Sequence, residues 1–173
     1  MGSYSENRSW SDLMLDQIRQ IVGPLLLRPT PHEMDCRQAA DLYIFTGRGM
    51  TIAARVRRFG YADKYPYEFT VRSVVQSGAK TELAKIIDGF GDWFFYGHSS
   101  PDSVVTNWWL IDLDSFRAAL IRDGRFGFGL GFKERSNKDG TRFISFDLRS
   151  FPASPPILIG SSHPLPHNSE VAA

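Results

Sequence analysis

Three segments, Asp41-Leu-Tyr-Ile-Phe45, Thr51-Ile-Ala-Ala-Arg-Val-Arg-Arg58 and Tyr67-Glu-Phe-Thr-Val-Arg-Ser73, decide how the rest of the chain reads. Each has the composition of a β-strand, and a helix opens after them at Thr81-Glu82. Side chains on a strand alternate between faces. In the second segment Ile52, Ala54 and Val56 share one face, and Arg55 and Arg57 share the other. In the third, Phe69 and Val71 point one way while Glu68, Thr70 and Arg72 point the opposite way. Pairing of these two strands would set both arginines beside a Glu/Thr/Arg row, with Asp41 joining from the first strand. Carboxylates held near cations on a sheet are the raw material of metal-dependent phosphodiester chemistry. The same alternation describes a solvated sheet face in which Glu68 makes an ordinary cross-strand ion pair with Arg55 or Arg57.

Upstream, Trp10, Leu13, Met14, Ile18, Ile21, Val22 and Leu25 form the stripe of an amphipathic helix. Ser9 or Ser11 is its expected cap and Gly23-Pro24 its end. Residues 28–40 read as a loop or short turn in which Glu33 and Asp35 are reserve acids. Downstream, Ser77 or Thr81 caps a helix over Glu82 to Asp88, stopped by Gly89 and Gly91. Asp92 to Tyr96 and Asn107 to Asp112 are nearly continuous apolar runs, the pattern of strands buried on both faces. A helix containing Phe116, Leu120 and Ile121 follows, with Asp114 or Ser115 as cap. Phe126, Phe128, Leu130 and Phe132 then alternate with glycines, and Asn137 to Gly140 joins this stretch to Thr141–Leu148 as a hairpin. The glycines lack the spacing and the following helix of a phosphate-binding loop. Ile157 to Ile159 is strand-like.

Together these elements predict one α/β domain over residues 1–160, with a central mixed β-sheet flanked by helices. Its core spans about residues 10–122, a C-terminal β-hairpin extension covers 123–160, and 161–173 is a mobile tail. The net charge is +1, but its distribution is uneven. Eight Lys/Arg face four Asp/Glu between Asp41 and Lys85, and two face six between Ile86 and Asp123. The basic half is available to an anion. Cys36 is the single cysteine, so no internal disulfide forms and a reducing cytoplasm is the expected location. Neither a signal core nor an apolar run of membrane-spanning length is present, so no membrane partner is expected.

The chemical candidates narrow quickly. His32, His98, His163 and His167 have no partners at zinc-ligand spacing, and neither a nucleophile elbow nor a Cys/His pair supports a hydrolase triad. Tyr61, Tyr65 and Tyr67 interleave with Arg58 and Lys64, as suits either a nucleic-acid surface or a packed loop. Trp93, Trp108 and Trp109 read as core.

The order helix, strand, strand, strand, helix, strand, with Asp41 on the first strand and Glu68 on the third, resembles the PD-(D/E)XK nuclease superfamily over roughly Asp12 to Leu120. The resemblance takes in Lys80-Thr-Glu-Leu-Ala-Lys85, Gly91-Asp-Trp-Phe-Phe-Tyr-Gly97 and Trp109-Leu-Ile-Asp-Leu113. It implies a restriction-endonuclease-like core and a Mg²⁺-dependent nuclease acting on DNA. In that reading Asp41 and Glu68 hold the metal, Arg57 and Arg72 the scissile phosphate, and Arg55, Lys64, Lys80 and Lys85 the strand backbone. The chain also looks like a group of short proteins carried by phages and other mobile elements, which would place it in a bacterial host's cytoplasm. Where the superfamily has Glu-x-Lys, this chain has Glu68-Phe69-Thr70; another register puts Arg55-Val56-Arg57 in that slot behind Asp41. No arginine serves as a general base, because a guanidinium stays protonated. The departure supports a second expectation: a catalytically inactive derivative of the fold that binds nucleic acid or a host protein, as an accessory or inhibitor.

Overall fold

A computed structural model describes residues 4–23, 27–29, 42–45, 49–126, 130 and 132–166. Asp41, the reserve acids Glu33 and Asp35, Cys36, Gly127 to Gly129, Gly131 and the last seven residues lie outside the described part.

The first helix, α1 (Tyr4–Val22), begins earlier than its serines suggest, and Ser11 returns its hydroxyl to the Asn7 carbonyl from inside it. Met14 and Ile18 are its buried face. Among the described residues nine strands follow: β1 (Leu27–Pro29), β2 (Leu42–Phe45), β3 (Gly49–Arg57), β4 (Glu68–Val74), β5 (Trp93–Ser99), β6 (Val105–Asp112), β7 (Lys133–Ser136), β8 (Arg142–Asp147) and β9 (Leu158–Ser161). Between them lie α2 (Tyr61–Lys64), α3 (Glu82–Ile87) and α4 (Leu113–Phe126). Among the described residues, no helix is long and apolar enough to cross a membrane.

The strands form two sheets: a mixed six-stranded sheet ordered β1-β2-β3-β5-β6-β9 and a three-stranded sheet ordered β4-β8-β7. The α/β class and the helix-flanked mixed sheet are as expected. The pairing of the second and third segments is not. β3 runs parallel to β5, from Ile52 opposite Trp93 to Arg57 opposite His98, while β4 pairs antiparallel with β8, from Glu68 opposite Asp147. The reason lies in what each strand must bury. β5 is apolar on both faces and takes a central place, which a strand covered on both sides requires. β4 buries only two apolar side chains, Phe69 and Val71, and finds them cover in the smaller sheet. The C-terminal hairpin β7–β8 therefore supplies two of the three strands of the sheet that houses β4, joined by a turn in which the Asn137 backbone N–H donates to the Thr141 carbonyl.

Adjacent side chains leave the central sheet on opposite faces and build two cores. Ile52, Phe95 and Leu110 pack under Met14 and Ile18 of α1. Ala53, Phe94, Tyr96, Trp109 and Ile111 face Phe69, Val71 and Phe146 of the small sheet, with Ile86 of α3 and Phe116 of α4. Gln17 locks α1 in place: its amide donates to the Ser103 carbonyl at 2.6 Å and accepts from the Val105 N–H at 2.7 Å. Trp109 is core, and Trp93 and Trp108 pack against the α1 side, as their composition suggests.

Both boundaries of α4 differ from expectation. β6 runs into α4 with no loop, so the cap is Asp112, whose carboxylate accepts from the Ser115 N–H at 2.6 Å, rather than Asp114 or Ser115. Phe126 likewise ends α4 rather than opening a strand. At the far edge β9 extends to Ser161, and Ser162 bonds Trp108 through both its backbone and its hydroxyl.

Candidate functional site

β3 carries Arg55 and Arg57 on the face turned away from α1, and both reach across to the small sheet. Arg57 donates through Nη2 to the Thr70 hydroxyl and through Nε to the Tyr96 hydroxyl at 2.9 Å. Arg55 Nη1 lies 3.5 Å from the same Thr70 oxygen. Thr70 thus joins two guanidinium groups from one strand. The polar face expected from alternation exists, but as a seam between two sheets rather than as a surface on one.

The acids along this seam are placed differently from expectation. Glu82 at the start of α3 pairs with Arg55 at 2.6 Å and accepts the Arg72 N–H at 2.9 Å through the same oxygen. Glu68 pairs with neither β3 arginine. Its two oxygens lie 3.1 and 3.4 Å from Nη2 of Arg135 on β7. Arg57 is left as a half-buried cation with no carboxylate at ion-pair distance among the described residues.

Two cavities open along the seam. The smaller, about 210 Å³, lies beside Arg57 and is lined by Glu68, Arg135 and four aromatic rings, those of Tyr61, Tyr65, Tyr96 and Phe143. The Arg57 guanidinium sits 5.4 Å from the Tyr61 ring centre, 5.8 Å from Phe143 and 6.0 Å from Tyr96. Arg135 lies over Tyr65 at 4.7 Å. Such contacts hold a cation without neutralising it. At the base is His98, 1% exposed, set edge-on to Tyr96 and Trp109. Its Nδ1 has no hydrogen-bond partner. Burial, and then the charge of Arg57, pushes its pKa down to about 4, so the ring is neutral at pH 7.

The larger cavity, about 470 Å³, separates α1 from β3 and α3. Trp10, Met14 and Ile18 line one side and Arg55, Arg72, Lys80 and Lys85 the other. Trp10 donates its indole N–H to the Val56 carbonyl at 3.3 Å, closing that edge of β3. Burial, and then the neighbouring Arg55, pushes the pKa of Arg72 below the ordinary arginine value. Lys80 is paired with Asp88 and lies over Phe90, and Thr81 caps α3 by accepting from the Ala84 N–H. Lys64 ends α2 in solvent and lines neither cavity.

The candidate residues therefore divide. Glu68 and Arg57 meet in the smaller cavity, and Arg55, Arg72, Lys80 and Lys85 meet in the larger. Asp41 lies outside the described residues. A Mg²⁺ site calls for oxygen donors free to take the ion. The described oxygen donors of this cavity are one carboxylate held by Arg135, the hydroxyls of Tyr61, Tyr65, Thr70 and Tyr96 and the Asn137 side-chain oxygen, beside two guanidinium charges. That set does not fit a divalent cation; it fits an anion.

Four contributors escape a reading by sequence. Tyr96, at the end of a run read only as buried strand, and His98, two residues beyond it, share a face with Phe94, and that period of two is the signal that could have found them. Glu82 looks like a helix-start acid and no more. Arg135 reaches Glu68 only because β8 lies between β4 and β7, a pairing no local pattern encodes. No protein-family model matches the chain, and no curated protein matches it.

Proposed function

We propose that the protein binds a single strand of nucleic acid along the seam, holding its phosphates with Arg57 and Arg72 and without chemistry at the phosphodiester. The observation that carries this reading is Arg57: a half-buried guanidinium fixed by two hydroxyls and three rings, with no acid at ion-pair distance among the described residues. Burying a charge is costly unless it is paired, and an incoming phosphate supplies the missing partner with charge-assisted hydrogen bonds. Tyrosines beside arginines add stacking, which tolerates any base.

The test is fluorescence anisotropy with labelled single-stranded DNA, single-stranded RNA and duplex DNA, with EDTA or Mg²⁺ present. Single strands should bind in EDTA, bind more weakly from about 50 to 200 mM salt, lose about tenfold in affinity in Arg57→Gln, and remain intact in Mg²⁺. Absence of binding to every probe would overturn the reading. Mg²⁺-dependent cleavage that disappears in Glu68→Gln and in Asp41→Asn would replace it with a metal-dependent nuclease.

A further inference from the structure

We infer that the cavity beside Arg57 is a single-nucleotide pocket, which takes one unstacked base of the bound strand with that nucleotide's phosphate at the Arg57 guanidinium. This deepens the strand-binding function just proposed and rests on it.

Three features of the cavity call for more than a bare anion. Its entrance is framed by two stacked pairs, Arg57 with Tyr61 and Arg135 with Tyr65, at 5.4 and 4.7 Å. Flat faces of this kind accept another planar group, and unstacked bases are commonly held on tyrosine rings and guanidinium planes. Its volume, about 210 Å³, equals that of about seven liquid waters. That is room for one nucleobase, and too little for a base pair.

The polar groups inside are the third feature. His98 is 1% exposed and its Nδ1 has no partner, a costly state for a buried nitrogen. Asn137 donates its amide N–H to the Thr141 hydroxyl at 2.9 Å, which leaves its side-chain oxygen as an acceptor at the cavity wall. The Asn137 oxygen can read the edge of a base, the part of a nucleotide that phosphate contacts leave unread, while the buried His98 ring senses occupancy of the cavity from its wall. Arg57 and Arg135 against Glu68 leave one positive charge for the nucleotide's phosphate.

The experiment titrates the protein with nucleoside 5′-monophosphates, the corresponding nucleosides and inorganic phosphate, following the His98 and tyrosine ring signals by NMR. In parallel, an oligonucleotide carrying one 2-aminopurine reports unstacking by its fluorescence. The variants are Tyr61→Ala, on a side chain already 46% exposed, and Asn137→Ala in the hairpin turn. Monophosphates should bind at least tenfold tighter than phosphate, shift the His98 ring signals, and lose about tenfold in Tyr61→Ala, the size of one base–aromatic stack. The 2-aminopurine emission should rise on binding wild type and not on binding Tyr61→Ala.

Phosphate binding as tightly as the monophosphates would reduce the cavity to a simple anion site and overturn the inference. So would strand affinity that depends on Arg57 but is unchanged in both Tyr61→Ala and Asn137→Ala; strand binding would then stand without the pocket. Monophosphate binding without strand binding would keep the pocket and sink the function it was built on.

Discussion

His98 shows how a single residue sets a condition on the whole protein. Buried against Tyr96 and Trp109, and opposite Arg57 in the sheet register, its ring is neutral in the folded state with a pKa near 4. In the unfolded chain it titrates near 6.5. Between those values the unfolded state binds more protons, so stability falls as pH drops through the window and no penalty exists above it. Urea midpoints for wild type and His98→Phe should run parallel above about pH 6.5 and diverge below it, wild type losing more. Parallel curves down to about pH 4 would show that this ring is not the titrating group. Glu82 works in the other direction: one oxygen fixes the Arg55 side chain and the Arg72 backbone together, so Arg55 is already satisfied while Arg57 is not.

Elements are held by short devices that a sequence displays openly, and joined by long ones that it does not. The turn between α3 and β5 belongs to the first kind. Gly91 has φ +78°, and a Cβ there would stand 2.9 Å from Cδ1 of the fully buried Leu113. Arg117 of α4 grips the Ile86 and Gly91 carbonyls around it. Gly91→Ala should therefore cost about 2 kcal/mol in chemical denaturation without altering the far-ultraviolet circular dichroism of the folded state. The Thr81 cap, the glycine stops, the α1 stripe apart from the exposed Leu13 and the undescribed Leu25, and the two-faced apolar run of β5 were readable, because each is specified within a few residues. The faces of Arg55, Arg57, Glu68 and Thr70 were readable too, since alternation needs no partner. What stayed hidden was partnership. β3 has β5 as neighbour and β4 has β8, and the competition between strands for a doubly covered place decides that, not any local signal. Glu68 consequently met Arg135 instead of an arginine of β3.

For the molecule as a whole, a net charge of +1 conceals a directed arrangement. Along the seam Arg55 and Arg135 are matched by Glu82 and Glu68, whereas Arg57 and Arg72 have no carboxylate at ion-pair distance among the described residues. Two unmatched cations predict a shallow salt dependence for strand binding, a slope of about −1.5 in log K against log salt. Anisotropy titrations across a salt series check it, and a slope steeper than about −3 would mean that other cations carry the contact. The two-sheet architecture also sets a timetable for the nascent chain. β4 leaves the ribosome early, with Phe69 and Val71 ready to collapse, but the backbone that completes it is translated only at Arg142–Asp147. Distant pairings of this sort slow the search for the native state and leave strand edges open meanwhile. The protein is therefore at its most aggregation-prone during the interval when the first five strands of the central sheet can already pair and the hairpin has yet to be made.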